Sequence, residues 1–229
     1  MKAVFVAGTD TGAGKSVITG LLGGYLLDRG YRVVTQKWVQ TGSAGHSPDI
    51  DTHLEFMARR RRDFCGHLRS MEPYIFKLAA SPHLASGVEK KRIRLGRIRR
   101  CFNNLSANFD RVIVEGSGGL LVPLDKEKLL IDAVKELSLP VLLVAPNRLG
   151  AINSALLSIE AMRSRDIKIV GVIFNNSIKG EDRLVLKDNP VAVERFGRVH
   201  VLGTLAYSKD MRLMREAFAP IAAEIESRI

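Results

Sequence analysis

Short, almost wholly apolar runs punctuate the chain: Ala3–Ala7, Tyr31–Thr35, Arg111–Glu115, Val141–Ala145, Ile169–Asn175 and His200–Leu202. They are too short for helices and rich in Val, Ile and Phe, so each reads as a strand covered on both faces. Between most of them lie longer segments whose apolar positions recur at helical spacing: Ser16–Leu27, Glu127–Leu137, Ile152–Met162 and Glu181–Phe196. This alternation predicts an α/β fold, a doubly wound and mostly parallel sheet flanked by helices, in a single domain over residues 1–229. The stretch Gly42–Asn108 carries no clear strand run and reads as mostly helical. Right-handed crossovers place every loop leaving a strand on one edge of such a sheet, and ligands gather there. Polar residues just after the apolar runs are therefore where chemistry is expected.

Composition narrows the picture. At 229 residues with 46% apolar, the chain can bury a full core and is not a disordered protein. It lacks a run of about 18 consecutive apolar residues, so no membrane span is expected, and its start lacks the charged-then-apolar layout of a signal peptide. The two cysteines, Cys65 and Cys101, lie far apart without metal-ligand spacing, which points to a reducing, cytoplasmic setting. The net charge of +11 comes partly from Arg59–Arg62 and from Lys90–Arg100. Ile93, Leu95, Ile98, Phe102 and Leu105 interleave with the second cluster, so it reads as the solvated face of an amphipathic helix. Neither cluster carries the aromatics of a single-strand groove, and no nucleic-acid or membrane partner is expected.

The strongest candidate chemistry follows the first run. Gly8-Thr9-Asp10-Thr11-Gly12-Ala13-Gly14-Lys15-Ser16 leads from a strand into a helical segment, with one residue more between Gly8 and Gly14 than the usual phosphate-loop spacing. Glycines turn backbone N–H groups onto phosphates, and the helix adds its positive end. Lys15 reaches the terminal phosphates and the Ser16 hydroxyl suits magnesium. After the second run, Lys37-Trp38-Val39-Gln40-Thr41-Gly42 brings a lysine and a hydroxyl to the same edge. In Ser47-Pro48-Asp49-Ile50-Asp51-Thr52 two carboxylates stand at a helix start, as caps or as ligands of a hard cation. Glu115-Gly116-Ser117-Gly118-Gly119 ends the third run in an acid, a usual place to support Mg·ATP. Asn147–Asn153 opens a helix whose N-terminus suits a carboxylate. The amides of Asn175 and Asn176 suit a base edge.

Taken together, this ordered set resembles the dethiobiotin synthetase family. The matching pieces are Gly8–Ser16, Lys37–Gly42, Ser81-Pro82-His83, Glu115–Gly119 with Leu121–Leu124, Leu149–Asn153 and Gly171–Asn176, over roughly the first 180 residues. The long phosphate loop is itself typical of that family. The resemblance implies an ATP- and Mg2+-dependent ring closure in biotin synthesis. Diaminopelargonic acid and CO2, drawn from bicarbonate, form a carbamate, ATP phosphorylates it, and the second amine expels phosphate. It further implies that Thr11, Lys15 and Lys37 are catalytic, and that Gly12, Ala13, Gly14, Lys15, Ser16, Val17 and Asn175 hold ATP. Lys37, Thr41, Gly118, Leu149, Gly150 and Asn153 would hold the diamine. Ser16, Asp49 and Glu115 would ligate magnesium, with Asp51 competing with Asp49. A homodimer is implied, Gly150–Asn153 serving the partner's site.

Three positions depart from the family pattern: Trp38 where proline is usual, Ser117 where alanine is common, and Ala206 where proline often follows the last strand. Trp38 either reshapes the diamine pocket or fills core. Two other readings share the phosphate loop. An amidoligase acting on a cobalamin precursor usually needs an additional glutamine-hydrolysing domain, for which 229 residues leave little room. A partitioning ATPase acting on DNA or membrane typically has a second lysine early in the loop, and here Thr9-Asp10-Thr11 has none.

Overall fold

The structure is a computed structural model and describes residues 2–176 and 180–229. Its strands are β1 (Lys2–Gly8), β2 (Val33–Lys37), β3 (Val39–Gln40), β4 (Tyr74–Ile75), β5 (Arg111–Gly119), β6 (Val141–Pro146), β7 (Ile169–Asn176) and β8 (Val201–Ala206). The helices are α1 (Lys15–Asp28), α2 (Pro48–Phe56), α3 (Leu68–Met71), α4 (Pro82–Val88), α5 (Leu95–Asn108), α6 (Leu130–Glu136), α7 (Ala151–Arg163), α8 (Arg183–Gly197) and α9 (Met211–Arg228). Six strands form one sheet in the order β2-β5-β1-β6-β7-β8, every neighbouring pair parallel. The chain steps outward from β1 to β2, returns through β5, and crosses to β6, β7 and β8. Strand order thus reverses beside β1, and the crevice at that switch point is where such sheets bind ligands.

Val4, Phe5, Val6, Ile113, Val114, Leu142, Val144, Ile173 and Phe174 are buried in the sheet. Helices on both faces explain why the runs are apolar throughout rather than alternating. Right-handed crossovers running in opposite directions from the centre put α1 on one face and α6, α7 and α8 on the other. Helix α1 packs against both α2 and α9, and Ile18, Leu21, Leu22 and Leu26 are buried in it. Its contact with α2 requires glycine: a Cβ on Gly20 would stand 2.7 Å from Phe56 Cβ and 3.1 Å from His53 Cα.

Several boundaries differ from the sequence expectation. The second strand begins at Val33 and runs to Lys37, because Gln36 and Lys37 are buried despite being polar. Gln36 Nε2 donates to the Ser70 carbonyl at 2.8 Å and its Oε1 accepts from Trp38 Nε1 at 3.0 Å. Tyr31 and Arg32 lie between the preceding turn and the strand, and Tyr31 sits under the Arg111 guanidinium at 3.9 Å. Helix α6 starts three residues later than its periodic segment, since Asp125 Oδ1 accepts from the Glu127 and Lys128 N–H groups and holds them in a turn. Strand β8 reaches Ala206. Helix α9 was not anticipated; Phe218, Ile221, Ala222 and Ile225 bury one of its faces. The stretch from Gly42 to Asn108 is mostly helical, with β4 pairing β3 in a second, two-stranded parallel sheet.

Candidate functional site

Strand β1 delivers the chain into the phosphate loop at the switch point. Gly12 and Gly14 have φ of 78° and 98°, a left-handed backbone that residues with a Cβ adopt only with strain. No side chain caps the start of α1 and its first turn holds no acid, so its N–H groups face the crevice ready for an anion. Lys15 Nζ donates to the Asp10 carbonyl at 3.0 Å, folding the side chain back along the loop. Burial, followed by the nearby Lys37 charge, lowers the Lys15 pKa to about 8. From β7, Asn175 Nδ2 donates to the Ala13 carbonyl at 3.1 Å. A Cβ on Gly14 would stand 1.9 Å from that nitrogen, so the loop leans directly on Asn175.

Neighbouring parallel strands β2 and β5 place Lys37 beside Glu115 in register. Both side chains are buried. Lys37 Nζ donates to Glu115 Oε1 at 2.6 Å, to the Gly116 carbonyl at 2.9 Å, and meets Asp49 Oδ2 at 2.6 Å. An ammonium has three hydrogens, and these three acceptors use all of them. Burial opposes the charge on Lys37, but Glu115 and Asp49 outweigh it and its pKa is raised. Burial likewise opposes the Glu115 carboxylate; Lys37 and then His53 overcome that and hold its pKa far below the ordinary value. Ser16 Oγ donates to Glu115 Oε1 at 3.1 Å.

Helix α2 supplies Asp49. Ser47 caps the helix by accepting from Ile50 N at 3.3 Å, which orients the first turn. Of the two aspartates that the sequence left open, Asp49 meets Lys37. Asp51 turns the other way, with Oδ1 accepting from Arg61 Nη1 at 2.9 Å and Oδ2 3.2 Å from His46 Nε2. One turn beyond Asp49, His53 Nε2 lies 2.5 Å from Glu115 Oε2, fully buried. Sequence reasoning missed this residue; its only signal was the four-residue spacing from Asp49, which puts both on one helical face.

A cavity of about 450 Å³ opens over these groups, and Thr11, Gly12, Ser16, Val17, Thr41 and Gly118 line it alongside the two lysines. Leu149, Gly150 and Asn153 do not line it. They stand at the exposed start of α7, where Leu149 is 81% exposed and Gly150 has a φ of 86°. Trp38 is likewise outside the cavity: it is fully buried, its ring 4.8 Å from that of Phe5. It fills core rather than shaping the pocket.

The donor set fits magnesium. Asp49 and Glu115 offer hard carboxylate oxygens that meet at one ammonium, and the Ser16 hydroxyl reaches the same Glu115 oxygen. Magnesium commonly takes one or two carboxylates and completes its shell with phosphate and water. No group of three or more His, Cys, Asp or Glu converges to hold a metal among the described residues, so such an ion would lean on the phosphates.

The fold and loop define a P-loop nucleotide-binding protein, and a family model described as "AAA domain" matches residues 2–215. Solved chains with the same fold include a Pyrococcus furiosus cell-division ATPase MinD, with a TM-score of 0.59 at 17% identity, covering 99% of each chain. A pNOB8 ParA bound to nonspecific DNA gives a TM-score of 0.61 at 15% identity over 99% of this chain and 98% of that one. At such identities the likeness concerns the fold alone. Sequence relatives are closer. The chain is 40% identical over 197 residues to the ATP-dependent dethiobiotin synthetase of Chlorobaculum tepidum, covering 84% of this chain and 81% of that protein. It is 34% identical over 192 residues to a Haemophilus influenzae synthetase of the same name, covering 83% and 99%. The chain belongs to the ATP-dependent dethiobiotin synthetase family.

Proposed function

We propose that this protein closes the ureido ring of dethiobiotin from 7,8-diaminopelargonic acid, CO2 and ATP, releasing ADP and phosphate. The observation that carries the reading, beside family membership, is the Lys37 ammonium seated between Asp49 and Glu115 at 2.6 Å each, next to the phosphate loop. One amine of the diamine adds to CO2 and loses a proton, giving a carbamate. A carbamate oxygen attacks the γ-phosphorus and ADP leaves, giving a carbamic–phosphoric anhydride. The second amine then attacks the carbonyl carbon and expels phosphate with that oxygen. Such a sequence asks the protein for positioning and charge neutralisation rather than covalent chemistry.

The residues suit those tasks. Loop N–H groups from Gly12 to Ser16 and the Lys15 ammonium hold the phosphates. Lys37 stabilises negative charge on the carbamate and the moving phosphoryl group. Its three donors are occupied, so it reaches the substrate by exchanging one acceptor. Asp49 is the partner to exchange: its side chain is 28% exposed, against 1% for Glu115. Thr11, Thr41 and Gly118 contact the phosphate and carbamate, and the side-chain oxygen Oδ1 of Asn175 meets the adenine edge. A magnesium ion held by Ser16, Asp49 and Glu115 would neutralise the β- and γ-phosphates.

The reading includes a homodimer in the cytoplasm. Leu149, Leu157, Leu184 and Val191 are large, exposed apolar side chains on or beside α7 and α8. Pairing of these faces would bring Gly150–Asn153 to a partner's cavity, where the start of α7 receives the substrate carboxylate. Among the described residues no helix is long and apolar enough to cross a membrane, and Cys65 and Cys101 are free thiols.

The test is phosphate release by the purified protein with ATP, magnesium and bicarbonate, with and without the diamine, alongside mass spectrometry for dethiobiotin. Phosphate release that requires the diamine and equals product supports the proposal. ATP hydrolysis indifferent to the diamine overturns it.

A further inference from the structure

We infer that His53 is a positioning residue for this site: it fixes the rotation of the Glu115 carboxylate so that one oxygen is kept for Lys37 and Ser16. The inference rests on the proposed function, and it assigns a role to a residue that none of the family motifs includes.

Three observations carry it. First, the Glu115 carboxylate is divided by partner. Oε1 accepts from Lys37 at 2.6 Å and from Ser16 at 3.1 Å, while Oε2 lies 2.5 Å from His53 Nε2. Without the imidazole, Oε2 would sit 1% exposed with no donor. A carboxylate pinned at one oxygen only rotates about its Cγ–Cδ bond, and each rotation exchanges the oxygen that Ser16 and Lys37 use. Second, the His53 ring has no other employment. Its Nδ1 is buried without a hydrogen-bond partner among the described residues. That nitrogen is best left as a bare lone pair, which puts the ring proton on Nε2 and aims it at Glu115. Third, the backbone that carries the ring is held in place. The α1–α2 contact presses on the His53 backbone, since a Cβ on Gly20 would stand 3.1 Å from its Cα and 3.2 Å from its carbonyl oxygen. Helix α2 therefore carries two coordinated parts, Asp49 directly against Lys37 and His53 behind Glu115.

Partners of this kind, which orient a ligand rather than touch the reactants, typically change metal affinity or activity by about 10- to 100-fold when lost. The test compares His53→Met, which fills the space without a donor, with His53→Gln, whose amide nitrogen reaches about as far as Nε2, and His53→Asn, whose amide is one bond short. Two quantities are read. One is the magnesium increment, the ratio of ATP-analogue dissociation constants without and with magnesium, which needs no turnover. The other is kcat and the diamine KM.

The expected result for His53→Met is an increment reduced by about tenfold and a kcat lowered by about 10- to 100-fold at unchanged KM. His53→Gln recovers both to within about threefold, and His53→Asn, a folded intermediate-sized control, does not. A folded His53→Met protein with the wild-type increment and kcat overturns the inference, as does His53→Gln failing to the same extent as His53→Met. Where His53→Met fails to fold, equal increments in the Gln and Asn proteins overturn it and a Gln-only recovery supports it. A wild-type protein that has a magnesium increment but makes no dethiobiotin refutes the proposed reaction, and the increments still decide the role of His53.

Discussion

Replacing Lys37 by methionine, a side chain of similar length without charge, should expose how the buried site is balanced. Lys37 and Glu115 are 4% and 1% exposed, and their charged atoms stand 2.6 Å apart. A unit pair at that distance in an effective dielectric of about 20 attracts by about 6 kcal/mol, much of it offset by desolvation. Removing one partner leaves the other charge buried without compensation, which typically lowers stability by about 3–5 kcal/mol. His53 and Ser16 still donate to Glu115, so the lower half of that range is expected. Adding Glu115→Gln to Lys37→Met removes the stranded charge and should recover at least about 2 kcal/mol as a coupling energy. Urea unfolding of the four proteins in a double-mutant cycle, without nucleotide, measures this. Turnover should behave oppositely: the double variant regains stability while staying about a thousandfold or more below wild type, because the charge proposed to stabilise the moving phosphoryl group is gone. Strictly additive stability losses would refute the reasoning, and so would a double variant with near-normal turnover.

Three further outcomes are expected. Gly20→Ala should lower stability by about 1–2 kcal/mol, overpacking the α1–α2 contact by more than the gain of about 1 kcal/mol in helix propensity; a raised melting temperature would contradict the close approach at Phe56. Trp38→Phe should lower stability by about 2 kcal/mol through a small void and the lost bond to Gln36, with the diamine KM unchanged, and a shifted KM in a fully stable protein would return Trp38 to the pocket. Hydrogen bonds from Arg32 lower the Asp110 pKa from 3.8 to about 2, so the folded chain takes up that proton later than the unfolded chain. The stability this contributes is present above about pH 4 and lost as pH falls toward 2; in acid titrations the gap between wild type and Asp110→Asn should narrow over that window, and a constant gap would sink the assignment.

What the sequence revealed and what it hid follow from where each residue's partners lie. The phosphate loop, Lys37 and Glu115 were legible because each closes an apolar run, and parallel topology collects such ends on one edge. The choice between Asp49 and Asp51 was not, since both stand in the first turn of α2. In the structure Arg61, ten residues on, pairs with Asp51, while Asp49 meets Lys37. His53 was hidden because its partner is 62 residues away and an isolated histidine on an apolar face usually just packs. The apolar run stops at Thr35, yet β2 continues to Lys37, because Ser70, Trp38, Glu115 and Asp49 satisfy the Gln36 and Lys37 side chains inside the protein. The same Gln36 bond makes Trp38 a core residue, which its place beside Lys37 in the chain did not reveal. Helix α9 carried apolar residues at helical spacing, but Pro220 interrupts them and no functional motif drew attention to the tail.

The central claim is that ATP activates a carbamate rather than water, and the fate of one oxygen atom tests it most directly. The reaction would be run briefly with 18O-labelled CO2 in unlabelled water, and the phosphate released would be analysed by mass spectrometry. The account predicts one labelled oxygen in each phosphate, in step with dethiobiotin formed, because the carbamate oxygen that attacks phosphorus leaves with it. Phosphate with no labelled oxygen, its fourth oxygen drawn from water, would contradict the account and identify the protein as a hydrolase of ATP.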